Sequence, residues 1–198
     1  MIELLAALSA SAAVGMRIAL PLLLIGLLYG SDLWAKAPLL SRVPPPIILG
    51  TLVSWSCVEL LLTKERLGQR FVQLVQLVFS PIVGAIVGIT VARSVAAEDW
   101  MIGIIGVVGG LLALVLQLVQ VGWFFRLQGL PLWVIFIQDF LCVSLVLFAF
   151  DAPTQGGLIA LLLLWLAIRS TSEWHRWYRQ QGSSGDRANP RRHKQDPD

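Results

Sequence analysis

The chain has 198 residues, 57% of them hydrophobic and 14% charged, with a formal net charge of +3 and a mean hydropathy of +0.76. Soluble domains run at roughly 45–50% apolar and about 25% charged residues, so the composition excludes a soluble globular fold, a disordered chain and a disulfide-rich scaffold. It is the composition of an integral membrane protein. Cys57 and Cys142 both lie inside apolar runs, so no disulfide framework is implied.

Residues 1–15 combine an apolar stretch with small residues, but the only early charge is Glu3, and hydrophobicity continues to Leu28. A secretory signal needs a basic start, so the segment reads as mature sequence. A membrane-crossing helix needs about 20 mostly apolar residues. Six stretches qualify: Leu4 to Tyr29, Pro46 to Leu62, Phe71 to Ala92, Trp100 to Phe125, Leu132 to Phe150, and Gly156 to Ile168, with the last free to continue to Arg179. They are too long for barrel strands and lack a dyad alternation. The predicted fold is all-α, a polytopic membrane bundle of about six transmembrane helices over residues 1–180. Residues 181–198, rich in Ser, Gly, Arg and Asp, read as a disordered basic cytoplasmic tail.

The first run is about 39 Å long at about 1.5 Å per residue, against a hydrocarbon core of roughly 30 Å. Gly15 and Pro21 bracket Arg17 within it. Two readings stay open: an element broken near Gly15–Pro21, or one long tilted helix with a snorkelling arginine. Ala6, Ser9, Ala10 and Ala13 form a small face suited to tight packing. Pro81 and Pro153 read as further helix breaks.

With six crossings, eleven Lys and Arg residues fall on one side, from Lys64 through the tail, and three on the other: Lys36, Arg42 and Arg93. The bias places both termini in the cytoplasm, and most of it comes from the C-terminal segment. Arg169 to Arg179 mixes arginine with Trp174, Trp177 and Tyr178, which suits a helix end at an anionic lipid surface.

The third and fourth runs carry matching small and polar stripes. Gln73, Gln76, Ser80, Gly84 and Gly88 share one face, and Gly103, Gly106, Gly110, Ala113, Gln117 and Gln120 share another. The steps Gly84/Gly88 and Gly106/Gly110 allow close backbone approach, and antiparallel packing would bring the glutamines level. The stripe is either a glutamine-pinned helix pair or a polar pathway. A weak three-plus-three inverted repeat also shows, with Glu59 and Asp139 in matching helices.

Ionisable residues inside membrane spans are costly and are functional candidates. Three stand out: Arg17, Glu59 and Asp139. Helical rise puts all three in one layer, as a buried charge cluster that either fixes helix register or couples a proton or ion. Trp55, Ser56, Gln138 and Cys142 neighbour them in sequence. No zinc-protease, serine-hydrolase, P-loop or paired-aspartate motif is present. No catalytic residue, metal site or cofactor is therefore expected, and no nucleic-acid partner.

The order of short motifs resembles a bacterial membrane family, the domain of unknown function 4126. LSASAAVGMRIALPLLL resembles its small-residue, Gly-x-Arg, Leu-Pro-Leu-Leu start. VELLLTKE resembles its glutamate-bearing second helix, SPIVGAIVG its Pro-x-x-Gly third helix, and IQDFLCVSLVLFAFDAP its acidic fifth helix ending in proline. The Lys64-Glu65 pair departs from the Asp-Lys of that pattern. The resemblance implies a multi-helix membrane protein and matches Gly15, Arg17, Pro21, Glu59, Pro81, Gly84, Asp139 and Pro153. By its name it implies no activity. Two functions fit the residues: a small-solute or ion transporter or channel-like protein built on the charge cluster, and a non-catalytic scaffold or assembly factor. The scaffold would bind other membrane proteins, or itself, through glycine-rich faces.

Overall fold

A computed structural model describes residues 2–28, 43–62, 66–95, 97–127 and 132–182. Among them are seven helices and no strand: α1 Ile2–Met16, α2 Ala19–Leu28, α3 Pro45–Leu62, α4 Arg66–Ser94, α5 Asp99–Leu127, α6 Leu132–Asp151 and α7 Pro153–Gly182. The loop carrying Trp34, Lys36 and Arg42, the Lys64-Glu65 pair and the tail from residue 183 lie outside the described residues.

Four stretches are long and apolar enough to cross a membrane: Phe71–Ser94, Asp99–Trp123, Trp133–Asp151 and Pro153–Thr171. Their outer faces carry exposed large hydrophobics, such as Leu74, Val107, Phe136, Phe140 and Leu162. Water would not tolerate such a surface over whole helices, and lipid would. The arrangement fits a membrane protein. The expected six crossings resolve differently. Ile2–Met16, Ala19–Leu28 and Pro46–Glu59 are shorter apolar helices. The reason for the first two is a break: the helix ends at Met16 and restarts at Ala19.

α1 is the hub. At 15 residues it is about 22 Å long, short of the roughly 30 Å core. It packs against α4, α5, α6 and α7 together. Every residue from Ala6 to Met16 is buried. Only small side chains let four helices converge on one axis, and Ala6, Ala7, Ser9, Ala10, Ser11, Ala12, Ala13 and Gly15 supply them. Two serines anchor the hub to backbone carbonyls of its neighbours. Ser9 Oγ donates to Leu145 O at 2.7 Å, and Ser11 Oγ to Gly84 O at 3.0 Å. Replacing Ser9 with alanine is expected to lower stability by about 1 kcal/mol, one net hydrogen bond, read as a lowered unfolding midpoint in detergent or bicelles.

α4 and α5 form the most extensive helix pair. A Cβ on Gly84 would stand 2.5 Å from Ala113 Cβ, and one on Gly110 would stand 2.7 Å from Pro81 O. Gly88 meets Ser11, and Gly106 meets the Ile89 side chain. All four glycines are thus taken up inside the bundle.

Two of the expected helix breaks are not breaks. Pro81 lies within the uninterrupted α4. Its carbonyl abuts Gly110, and a neighbouring helix packed this closely holds the segment in line. Gly15 lies inside α1, against the Ala113 backbone. Pro21 sits in the first turn of α2, where backbone N–H groups have no intrahelical partner and proline costs little. Pro153 opens α7, two residues beyond the end of α6, the position such a residue favours. The inverted repeat is unequal at its start: α5 is continuous where its counterpart is broken into α1 and α2.

Candidate functional site

Arg17 occupies the break between α1 and α2, just past the last residue of α1. Its backbone N–H still bonds Ala13 O at 3.1 Å, so the helix frays after this residue. A cation at this end also meets the negative pole of the helix. The guanidinium faces two carboxylates from different helices. Nη1 lies 3.3 Å from Glu59 Oε2 on α3, and Nε lies 2.8 Å from Asp139 Oδ1 on α6. The Nε contact is an ion pair without hydrogen-bond alignment. A longer hydrogen bond runs from Nη2 to Asp139 Oδ2 at 3.5 Å. The three in-span charges picked from the sequence therefore meet in one place.

Their surroundings differ. Glu59 is 2% exposed. Trp55, one turn earlier on α3, donates its indole N–H to Glu59 Oε1 at 2.6 Å. Gln76 on α4 donates to the same oxygen at 2.9 Å. The Asp139 side chain is 27% exposed. It sits beside the outward-facing Phe140, at the edge between bundle interior and outer surface. Arg17 is its one donor among the described residues.

An amide chain extends inward from the carboxylates. Gln117 on α5 donates to Gln76 Oε1 at 3.4 Å, so the α4 and α5 glutamines do meet, as the antiparallel register requires. Gln120 pairs elsewhere: Gln138 on α6 donates to its Oε1 at 3.1 Å. Gln73 contributes a buried carbonyl oxygen with no donor. Gln117 Oε1 and Ser80 Oγ are likewise buried without partners.

Gln138 has a second role that sequence reasoning did not assign. Its Nε2 also donates to Met16 O at 2.6 Å, a carbonyl at the C-terminal end of α1. Cys142, one turn along α6, donates its thiol to Ala13 O at 3.5 Å. α6 thus satisfies the Met16 carbonyl at the broken end of α1, as helix ends in an apolar medium require, and adds a second donor to Ala13 O, which already accepts from the Arg17 N–H. A polar residue one position from an in-span acid was the available clue, but its backbone target became visible only with the break.

Chemically, the site holds one guanidinium and two carboxylates, linked to buried amides, at a helix discontinuity. Among the described residues no group of three or more His, Cys, Asp and Glu is placed to hold a metal ion. A family model described as domain of unknown function (DUF4126) matches residues 4–173. No curated protein and no solved structure matches the chain.

Proposed function

Because the chain belongs to this family of unknown function, its chemistry has to be read from its own residues, and we propose that it moves a small solute or an ion across the membrane, with Arg17, Glu59 and Asp139 at the polar centre of the path. The observation that carries this reading is the meeting of the three charges at the break between α1 and α2. Interrupted helices are where transporters build midplane sites, because backbone and side-chain polar groups are available there. An ion pair used only for register would not require a broken helix.

On this reading α1 and α2 form one interrupted crossing and α3 another. Six crossings would leave both termini on one side, and the Lys and Arg bias favours the cytoplasm for that side. The partners are the bilayer and the transported species, with no enzyme activity, cofactor or nucleic acid. The scaffold alternative is less well supported, because the glycine faces it would use are already occupied between α1, α4 and α5.

The test is flux. Full-length protein in liposomes is assayed for proton, Na+, K+ and small-polyol movement, alongside Glu59→Gln and Asp139→Asn. The wild type should show flux of at least one species. Each variant should lose it by an order of magnitude or more while keeping its helical circular dichroism. Equal flux in all three proteins would overturn the reading.

A further inference from the structure

Building on that reading of the site, we propose that the ligand of the cluster is the proton, and that Asp139 takes and releases it while Glu59 stays a fixed counter-ion to Arg17.

The charge count comes first. One guanidinium faces two carboxylates, so with both ionised the site carries one negative charge in excess. An uncompensated charge inside an apolar slab is costly. It is removed by a proton on one carboxyl or by a second cation. The guanidinium decides between these. Its nitrogens stand 2.8 and 3.5 Å from the two Asp139 oxygens, where they block and repel a metal cation. A proton needs no such room.

The surroundings then decide which carboxyl accepts it. Glu59 takes three donors, from Trp55, Gln76 and Arg17, so both of its oxygens are already engaged. Asp139 has Arg17 alone among the described residues, and part of its side chain reaches the outer surface of the bundle. The other ionisable groups around it are few. Cys142 lies one turn away with its thiol on Ala13 O. On α7, Arg169 is exposed and lies over the Trp165 ring. On α1, Glu3 stands at the end opposite the break.

A second observation is a set of buried oxygens beside the cluster that have no donor. Gln117 is 1% exposed, yet its Oε1 has no partner, while its amide nitrogen bonds Gln76, the residue that holds Glu59. Ser80 Oγ and Gln73 Oε1, on the same face of α4, are orphaned in the same way. Buried oxygens without donors call for ordered water. Water at these oxygens would bring hydronium within a few hydrogen bonds of the carboxylates, along Gln117, Gln76 and Glu59. In the step, hydronium gives its proton to the Asp139 carboxylate, leaving water and a neutral acid, and Arg17 is then paired one to one with Glu59. Release is the reverse.

The experiment is pH-titrated infrared difference spectroscopy on full-length protein in lipid vesicles, with Asp139→Asn, Glu59→Gln and Cys142→Ala. The expected result is a protonated-carboxyl band that appears on acidification, persists in Cys142→Ala and is lost in Asp139→Asn. A band that survives in Asp139→Asn overturns the proposal. So does an Asp139-dependent change driven by Na+ or K+ at fixed pH. Loss of the band in Glu59→Gln with retention in Asp139→Asn would make Glu59 the carrier and overturn it equally. Near-wild-type unfolding midpoints confirm that each variant is folded. The readout needs no flux: an Asp139 band in vesicles that transport nothing would sink the transport reading and leave the proton site standing.

Discussion

Replacing Arg17 with alanine should cost about 3–5 kcal/mol of folding free energy, the loss typical when one member of a buried pair is removed. Glu59 would keep Trp55 and Gln76 as donors but lose its counter-charge while almost wholly enclosed. Asp139 would lose its one donor among the described residues. Unfolding followed by circular dichroism in bicelles reads the change. A loss below about 1 kcal/mol, the scale of a solvent-exposed pair, would show that the site is solvated and that its charges are cheap. A triple variant separates stability from function. Changing Arg17→Met, Glu59→Leu and Asp139→Leu together removes all three charges. Apolar replacement of a complete buried cluster is often neutral or stabilising, so this protein should regain most of the stability lost in Arg17→Ala. Its flux should remain absent. A triple variant that still transports would show that the trio only pins the helices.

The second large effect is expected at Gly15. A Cβ there would stand 2.8 Å from Ala113 Cα and 2.9 Å from Ala113 O. Both are backbone atoms of α5, and a helix backbone cannot swing aside as a side chain can. Overpacking of this kind costs typically 1–3 kcal/mol and occasionally more, so Gly15→Leu should lie at or above about 3 kcal/mol, with Gly15→Ala below it. Arg17 follows two residues later, so forcing α1 away from α5 also misplaces the guanidinium, and flux should fall with stability. The controls are Gly103→Leu and Gly122→Leu, where nothing lies within 4 Å of the added Cβ. Those changes should be neutral or slightly stabilising, since leucine is the better helix former. Equal losses at Gly15 and Gly103 would refute the close approach.

Much of this site was readable from residue type and spacing, because in an apolar run any charge is conspicuous. Arg17, Glu59 and Asp139 announce themselves, and Pro21 with an overlong first run points to a discontinuity. Other features had no such marker. The small residues of α1 signal close packing but not with whom, since alanine carries no address. The convergence of four helices on α1 therefore emerges only in three dimensions. Pro81 misleads because its effect on a helix depends on the neighbour that supports it, here Gly110. Helical spacing assigns the glutamines to faces, and Gln117 meets Gln76, but Gln120 bonds Gln138 instead of an α4 residue. An amide has two ends and several reachable partners, so face alone does not fix pairing. Gln138 itself was undervalued because its second acceptor, Met16 O, is a backbone atom that becomes free only when the helix ends.

The hub position of α1 bears on how the protein is made. α1 precedes in the chain every helix that encloses it, and its ties are distant: Ser11 to Gly84, Cys142 to Ala13, Ser9 to Leu145. During synthesis, then, the segment too short to span leaves the ribosome well before its walls exist. Ser11 finds its acceptor once α4 is made, but Ser9 and the broken end wait at the membrane unsatisfied until α6 arrives, and α7 then completes the enclosure. Biogenesis is therefore gated by the last helices, and chains truncated after α5 should be held by the insertion machinery or degraded instead of accumulating as a stable half-bundle.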